Sequence, residues 1–341
     1  MLHSGIQQPN GGVARYYLTG ERRNLPVSTE ITGYTCSALV YLHSVSGDKR
    51  YIDAALRSAR FLTRIAWDPV NCVMPFEIDP AAFAYFFDCG IIVRGLLAVW
   101  RATGDDEFLT CAIAVGNSML RDFPSVEGDY HPILALPAKT AEPRDSLRWS
   151  RSATCYQLKS AMAWWDLFEA TGENCFREPY QRVLEYALTD YRDFITRHPD
   201  ELGRMDRLHA FSYFLEGLLP WSHEKRCADA LQLGLLMAGT FLRVIAPKFA
   251  RSDVYAQVLR ARLYADWAGA VPLDRDAAVG EAEALAGFQA ADSDPRIDGG
   301  YWFGRKDGAL LPFINPVSAA FASQALELWH NREQVNRHLL I

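Results

Sequence analysis

The chain of 341 residues lacks nearly every motif that announces a reaction by itself. It has no GxxxxGK[ST] phosphate loop, no GxGxxG after a strand, no HExxH helix and no GxSxG elbow. P-loop phosphoryl transfer, dinucleotide redox chemistry, zinc proteolysis of the HExxH type and α/β-hydrolase chemistry are therefore not expected. Cysteine is sparse: seven residues, an odd number, with no CxxC spacing. That pattern excludes a disulfide scaffold and a structural zinc site, and reads as reduced, buried thiols of a cytoplasmic protein. No metal and no cofactor is expected. Basic charge is in deficit, with Lys+Arg 35 against Asp+Glu 41 and a net charge of −6. Phosphate backbones need a basic surface, so a nucleic-acid partner is not expected. Long apolar runs are also missing. The most tempting stretch, residues 228–246, is broken by Asp229, Gln232 and Arg243, short of the roughly 18–20 apolar residues of a membrane span. The start, MLHSGIQQPNGG, carries no basic segment followed by an apolar one, so no signal peptide is expected. Nothing in the sequence sets the oligomeric state.

What the sequence does have is a repeated helix pair. Hydrophobic residues make up 50% and charged residues 22%, which is ordinary globular composition. Three segments, from Thr29, Phe86 and Ala153, each run from an apolar stretch rich in small residues through a turn into a more amphipathic stretch. The turns read SGDKRY, TGDDEF and TGENCF. Gly supplies a left-handed cap for the first helix, and the following acid favours the start of the second. Weaker copies begin at His209, Asp253 and Asn315, and the second helix of the last copy is missing or very short. A recurrence of about 50–60 residues with two helices per unit means a helical array. Six copies favour closure into a ring, with all first helices inner, parallel, and opening on one funnel. The expectation is an all-α fold, one domain over residues 1–341, with residues 1–28 contributing to the funnel mouth. Three long loops, residues 68–85, 126–151 and 292–312, are expected to be functional.

The repeated pattern "TGY…L…TGD", which the first unit carries as TGY…L…SGD, with "D.G....GLL..W..TGD" in the second unit, resembles the six-hairpin glycosidase superfamily, the (α/α)6 toroids. GGVARYY, STEITGY, HAFSYFLEGLL and DGGYWF further resemble toroid proteins encoded near bacterial polysaccharide genes. The resemblance implies a saccharide as substrate or ligand. It leaves hydrolysis, elimination and epimerisation open, because these toroids host all three.

Candidate residues follow from position. Glu30 and Asp88 stand at equivalent starts of the first two inner helices, where two carboxylates could act as acid and base around a glycosidic bond; as structural residues they would cap those helices. His209 is read as the start of the fourth inner helix, with Tyr213 and Glu216 on the same face. His209 would carry a proton, or hold a hydroxyl or carboxylate; Glu216, deeper, would pair with a base such as Arg94. Arg148, Trp149 and Arg151 precede the third inner helix and Tyr156 opens it, a combination suited to stacking on a sugar ring and forking a carboxylate. Arg15 and Tyr16 near the N-terminus, and Asp298, Tyr301 and Trp302 in the tail loop, offer the same chemistry. Glu77 and Asp79 are alternative acids. Three functions compete: a hydrolase using the carboxylates, a uronate lyase or epimerase using His209, Tyr213 and an arginine, and a non-catalytic glycan-binding protein of polysaccharide biosynthesis. A helical scaffold for protein partners is the remaining alternative.

Overall fold

The structure, a computed structural model, describes residues 2–331 and 335–341. Among the described residues eleven α-helices alternate between an inner and an outer position. The pairs are α1 (Thr29–Ser46) with α2 (Lys49–Phe61), α3 (Phe86–Thr103) with α4 (Asp106–Asp122), and α5 (Gln157–Thr171) with α6 (Asn174–Asp190). They continue with α7 (Glu201–Gly217) and α8 (Lys225–Ile245), then α9 (Ser252–Trp267) and α10 (Arg275–Ala286). The sixth inner helix, α11 (Pro316–His330), has no outer partner among the described residues, only a 3₁₀ turn at Arg337–Leu339. Each inner helix packs on the next, and α11 packs on α1, so the ring closes. The expected left-handed glycine caps are present: Gly47, Gly104 and Gly172 end α1, α3 and α5 with φ of 68°, 71° and 76°. Asp48 and Asp105 then cap α2 and α4 through their side chains.

The inner helices are buried nearly all round, as a ring enclosed by a second ring requires. Close approach is set by small residues. A β-carbon on Gly90 would sit 2.5 Å from the backbone of Ser160 on α5, and one on Gly95 would sit 2.4 Å from the carbonyl oxygen of Gly33 on α1. Gly90→Ala is therefore expected to lower unfolding stability by roughly 1–3 kcal/mol, the scale of overpacking against a rigid neighbour; denaturant titration checks it.

Two helix starts differ from the sequence reading. α5 begins at Gln157, not Ala153, because the backbone before it is tied outward: the Ala153 carbonyl accepts from the Tyr186 hydroxyl at 2.6 Å, and the Cys155 N–H donates to Asp190 at 2.9 Å. α7 begins at Glu201, two turns ahead of His209, capped by the Asp200 carboxylate accepting from the Gly203 N–H at 2.9 Å. Those two turns (ELGRMDRL) are too charged to look like an inner helix. Among the described residues the strands are two- and three-residue pieces in the loops, and four of them lead into inner helices. Val27–Ser28, Phe83–Tyr85, Phe249–Arg251 and Phe313–Ile314 each end at the start of α1, α3, α9 or α11.

Among the described residues one helix, α8, is long and apolar enough to cross a membrane by length and composition. Its inner face packs on α7 and α9 as part of the ring.

Candidate active site

The loop ends are tied to the inner helices by hydroxyls. Thr29, the first residue of α1, donates to the Pro75 carbonyl at 2.7 Å, and its N–H donates to the Phe76 carbonyl at 3.0 Å. Ser252, the first residue of α9, does the same to the tail loop, donating to the carbonyl of Trp302 at 2.7 Å through Oγ and of Phe303 at 3.0 Å through N–H. The loop carrying Trp149 is fixed by the buried Arg207 guanidinium, which donates to the carbonyls of Ser146 and Phe194. Trp149 lies in the 3₁₀ turn Trp149–Arg151.

Glu30 and Asp88 open on one cavity of about 150 Å³, walled by Phe76, Tyr85, Phe87, Trp149 and Tyr156. Neither carboxylate caps its helix. Ser28 caps α1 by accepting from the Ile31 N–H, and α3 has no side-chain cap. The buried Asp88 leaves Oδ2 with no hydrogen-bond partner among the described residues. Burial among aromatic walls pushes the Glu30 carboxyl up to about 7, against the opposing pull of the Arg15 guanidinium. Asp88 is pushed well above the carboxylate range, first by burial and then by the charge of Glu30. Both groups are therefore biased toward the protonated form, and Glu30 is close to its midpoint at neutral pH.

The second half of the site is built on α7 and α9. His209 Nδ1 lies 2.7 Å from Oε1 of Gln257 and 3.4 Å from Oδ2 of Asp253. Both neighbours are acceptors, so Nδ1 carries the proton and Nε2 keeps its lone pair. Burial, followed by the charge of Arg251, pushes the imidazole down to about 4, so the ring is neutral at pH 7. Arg251 holds Asp253 through two bonds of 2.6 and 3.0 Å and Asp206 through one of 2.6 Å. Aromatic rings join the halves. Tyr213 lies 4.6 Å from Phe87 and 4.7 Å from His209, and Trp149 lies 5.1 Å from Tyr156 and 5.8 Å from His209, centroid to centroid.

The structure thus brings together Glu30, Asp88, Trp149, Tyr156, His209 and Tyr213, with Arg15 beside them. Arg15 lies 3.4 Å from Glu77 and 5.5 Å from the Phe76 ring centroid. Tyr16 packs on Phe313 at 5.0 Å, which stacks on Phe303, over which Arg251 sits at 4.6 Å. Other expected residues lie apart. Arg148 is exposed toward Asp145, and Arg151 faces Glu142 at 3.6 Å. Asp298 is exposed on a separate cleft of about 470 Å³ that also includes Arg296 and Tyr17. Tyr301 is buried, its backbone bridged to Gln289, while the partly exposed Trp302 bridges Ile314. The tail loop turns at Gly299 and Gly300, so these three side chains do not share one face.

Two further corrections concern α7. His209 sits two turns inside the helix rather than at its start, yet it lies level with Asp253 in the first turn of α9. Glu216 pairs with Lys159 at 2.8 Å and Arg260 at 2.5 Å, not with Arg94, which binds Asp166 at 2.9 Å. Asp253, Gln257 and Arg251 escape the sequence reading. The signal for Asp253 was present: like Glu30 and Asp88 it is an acid in the first turn of an inner helix.

No family model and no curated protein matches the sequence. Solved structures do match in shape. A sugar epimerase from a ruminal bacterium is 14% identical with a TM-score of 0.72, over 98% of this chain and 95% of that one. Cellobiose 2-epimerase from Spirochaeta thermophila is 14% identical with a TM-score of 0.72, over 95% and 92%. A D-mannose isomerase is 9% identical with a TM-score of 0.67, over 96% and 94%. The chain is an (α/α)6 toroid. In this toroid the sixth outer helix is absent from the described residues, and the charged and aromatic groups gather where the inner helices begin.

Proposed function

We propose that this toroid is an enzyme that processes a saccharide by acid–base chemistry, with Asp88 as the acid and Glu30 as the base. The observation that carries the reading is the half-buried Glu30 and the buried Asp88, both raised above the ordinary carboxylate value, on adjacent inner helices and open to one aromatic-walled cavity. Two carboxyls whose environments separate their proton affinities supply one donor and one acceptor at the same pH. Aromatic walls suit the apolar faces of a sugar ring. A cavity of about 150 Å³ is smaller than the roughly 300–1,000 Å³ of sites that enclose drug-sized ligands, so it takes one ring or chain end. In the hydrolase form Asp88 protonates the leaving oxygen and Glu30 activates water. The unpaired thiols, most of them buried, support placement in a reducing compartment.

A second reading rests on His209. A neutral imidazole anchored through Nδ1, with Nε2 unprotonated, is suited to moving a proton on carbon, as epimerisation or elimination requires. Incubation with a panel of oligosaccharides in D₂O separates the two. Hydrolysis gives new reducing ends without deuterium on carbon; epimerisation or elimination places His209 at the reacting carbon, and epimerisation incorporates deuterium there. Binding without conversion returns the protein to the glycan-binding reading. Trp149→Ala is expected to weaken saccharide binding by roughly 1–2 kcal/mol, the scale of a lost aromatic contact, as calorimetry would measure.

A further inference from the structure

Arg15 stands beside the cavity with its hydrogen-bonding capacity unused. Backbone ties bring it there. Val13 and Ala14 pair with Ser28 and Val27, and the Arg15 N–H donates to the Pro26 carbonyl at 3.1 Å, so Arg15 lies against the strand that leads into α1. Thr29 holds the loop of Phe76 and Glu77 to the same helix start. The guanidinium sits over Phe76, a wall of the Glu30–Asp88 cavity, and its charge acts on Glu30. Yet among the described residues the guanidinium makes no hydrogen bond. Nε is buried without a partner, and the contact with Glu77 is an ion pair at 3.4 Å in which Glu77 Oε1 is itself unpartnered. The Arg15 side chain is 33% exposed, so solvent reaches the fork. The neighbouring cations are engaged elsewhere: Arg251 binds Asp253 and Asp206, and Arg207 binds two carbonyls.

Building on the acid–base reading of the cavity, and resting on it, we infer that the saccharide this site takes is anionic and that Arg15 seats its charged group, a carboxylate or a sulfate ester. A planar guanidinium with free N–H groups matches two oxygens of an anion as a fork, and such charge-assisted bonds are roughly twice as strong as those a neutral hydroxyl makes. Glu77 leaves room for a second anion. In the same molecule Arg251 holds two carboxylates at once, Asp253 through Nε and Nη2 and Asp206 through Nη1. Repulsion from the cavity is limited, because Glu30 and Asp88 are both biased toward the protonated form.

Calorimetry at pH 7 tests it with the methyl glycosides of D-glucose, D-galactose and D-mannose, their glycosiduronates and their 6-sulfates. In at least one sugar series the anionic glycoside should bind about tenfold more tightly than its neutral parent. Arg15→Gln should abolish that preference and leave the Kd of the neutral parent unchanged, with thermal unfolding as the check that the variant is folded. Glu77→Gln, which removes the competing carboxylate, should tighten the anionic glycoside about threefold. A preference confined to the glycosiduronates assigns a carboxylate, and one confined to the 6-sulfates assigns a sulfate ester. Neutral and anionic glycosides that bind alike, a preference that survives Arg15→Gln, or weaker anion binding in Glu77→Gln overturns the proposal and leaves the acid–base reading standing. A wild type that binds no member of the panel overturns both.

Discussion

Asp88→Asn is expected to lower saccharide turnover by roughly 10²–10⁴-fold, the usual consequence of losing a general acid. The fold should survive. Asp88 is buried, caps nothing, and leaves one oxygen unpartnered, and a carboxyl that its surroundings push toward the neutral form differs from an amide by little in size. The wild-type pH profile follows from the same environment. Glu30 acts as a base only when ionised, so kcat/KM should rise with pH through about 7. Asp88 acts only while protonated, so the rate should fall again where that carboxyl ionises, well above the usual carboxylate range. Saccharide turnover followed across pH for the wild type and Asp88→Asn, with melting temperatures alongside, checks both. Loss of activity in step with loss of fold would make Asp88 a structural residue.

Glu216→Leu should have the opposite signature. Glu216 is fully buried between Lys159 and Arg260, and both of those bases also donate to the Ile341 carbonyl, at 3.0 and 3.2 Å. Removing the carboxylate leaves the Arg260 guanidinium without its buried anion and takes from Lys159, which burial already pulls down to about 7, the charge that holds its proton. A broken buried ion pair costs about 3–5 kcal/mol. Denaturant unfolding should show that loss, while kcat of the molecules that remain folded stays near wild type. A variant as stable as wild type would mean that the cations find other partners.

The architecture was legible in the sequence because toroid helices announce themselves twice, by small-residue inner stretches and by Gly-then-acid turns. Those turns supply the C-caps of α1, α3 and α5 and the N-caps of α2 and α4, while Glu173 before α6 makes no side-chain cap. The gathering of Glu30, Asp88 and His209 near the starts of neighbouring inner helices was an expectation of the same kind, since parallel inner helices must open together. Local rules could not give the start of α7, because its first two turns, ELGRMDRL, are charged in composition although Met205, Arg207 and Leu208 are buried. Side-chain pairing was equally out of reach. Whether Glu216 meets Arg94 or Arg260 depends on which inner helix lies across the ring, and no spacing encodes that. The tail loop illustrates the same limit: Asp298, Tyr301 and Trp302 are close in sequence, yet a turn at two glycines sends them to different environments. The His209 anchor was missed because Gln257 and Asp253 come from another helix.

The central claim is that Glu30 and Asp88 form an acid–base pair with separated proton affinities. Carboxyl titration by ¹³C NMR, comparing wild type with Glu30→Gln and with Asp88→Asn, tests it without a known substrate. The account predicts one carboxyl titrating near pH 7 that disappears in Glu30→Gln, and a second, still protonated at that pH, that disappears in Asp88→Asn. Two carboxyls that both ionise in the ordinary range near pH 4 would contradict it.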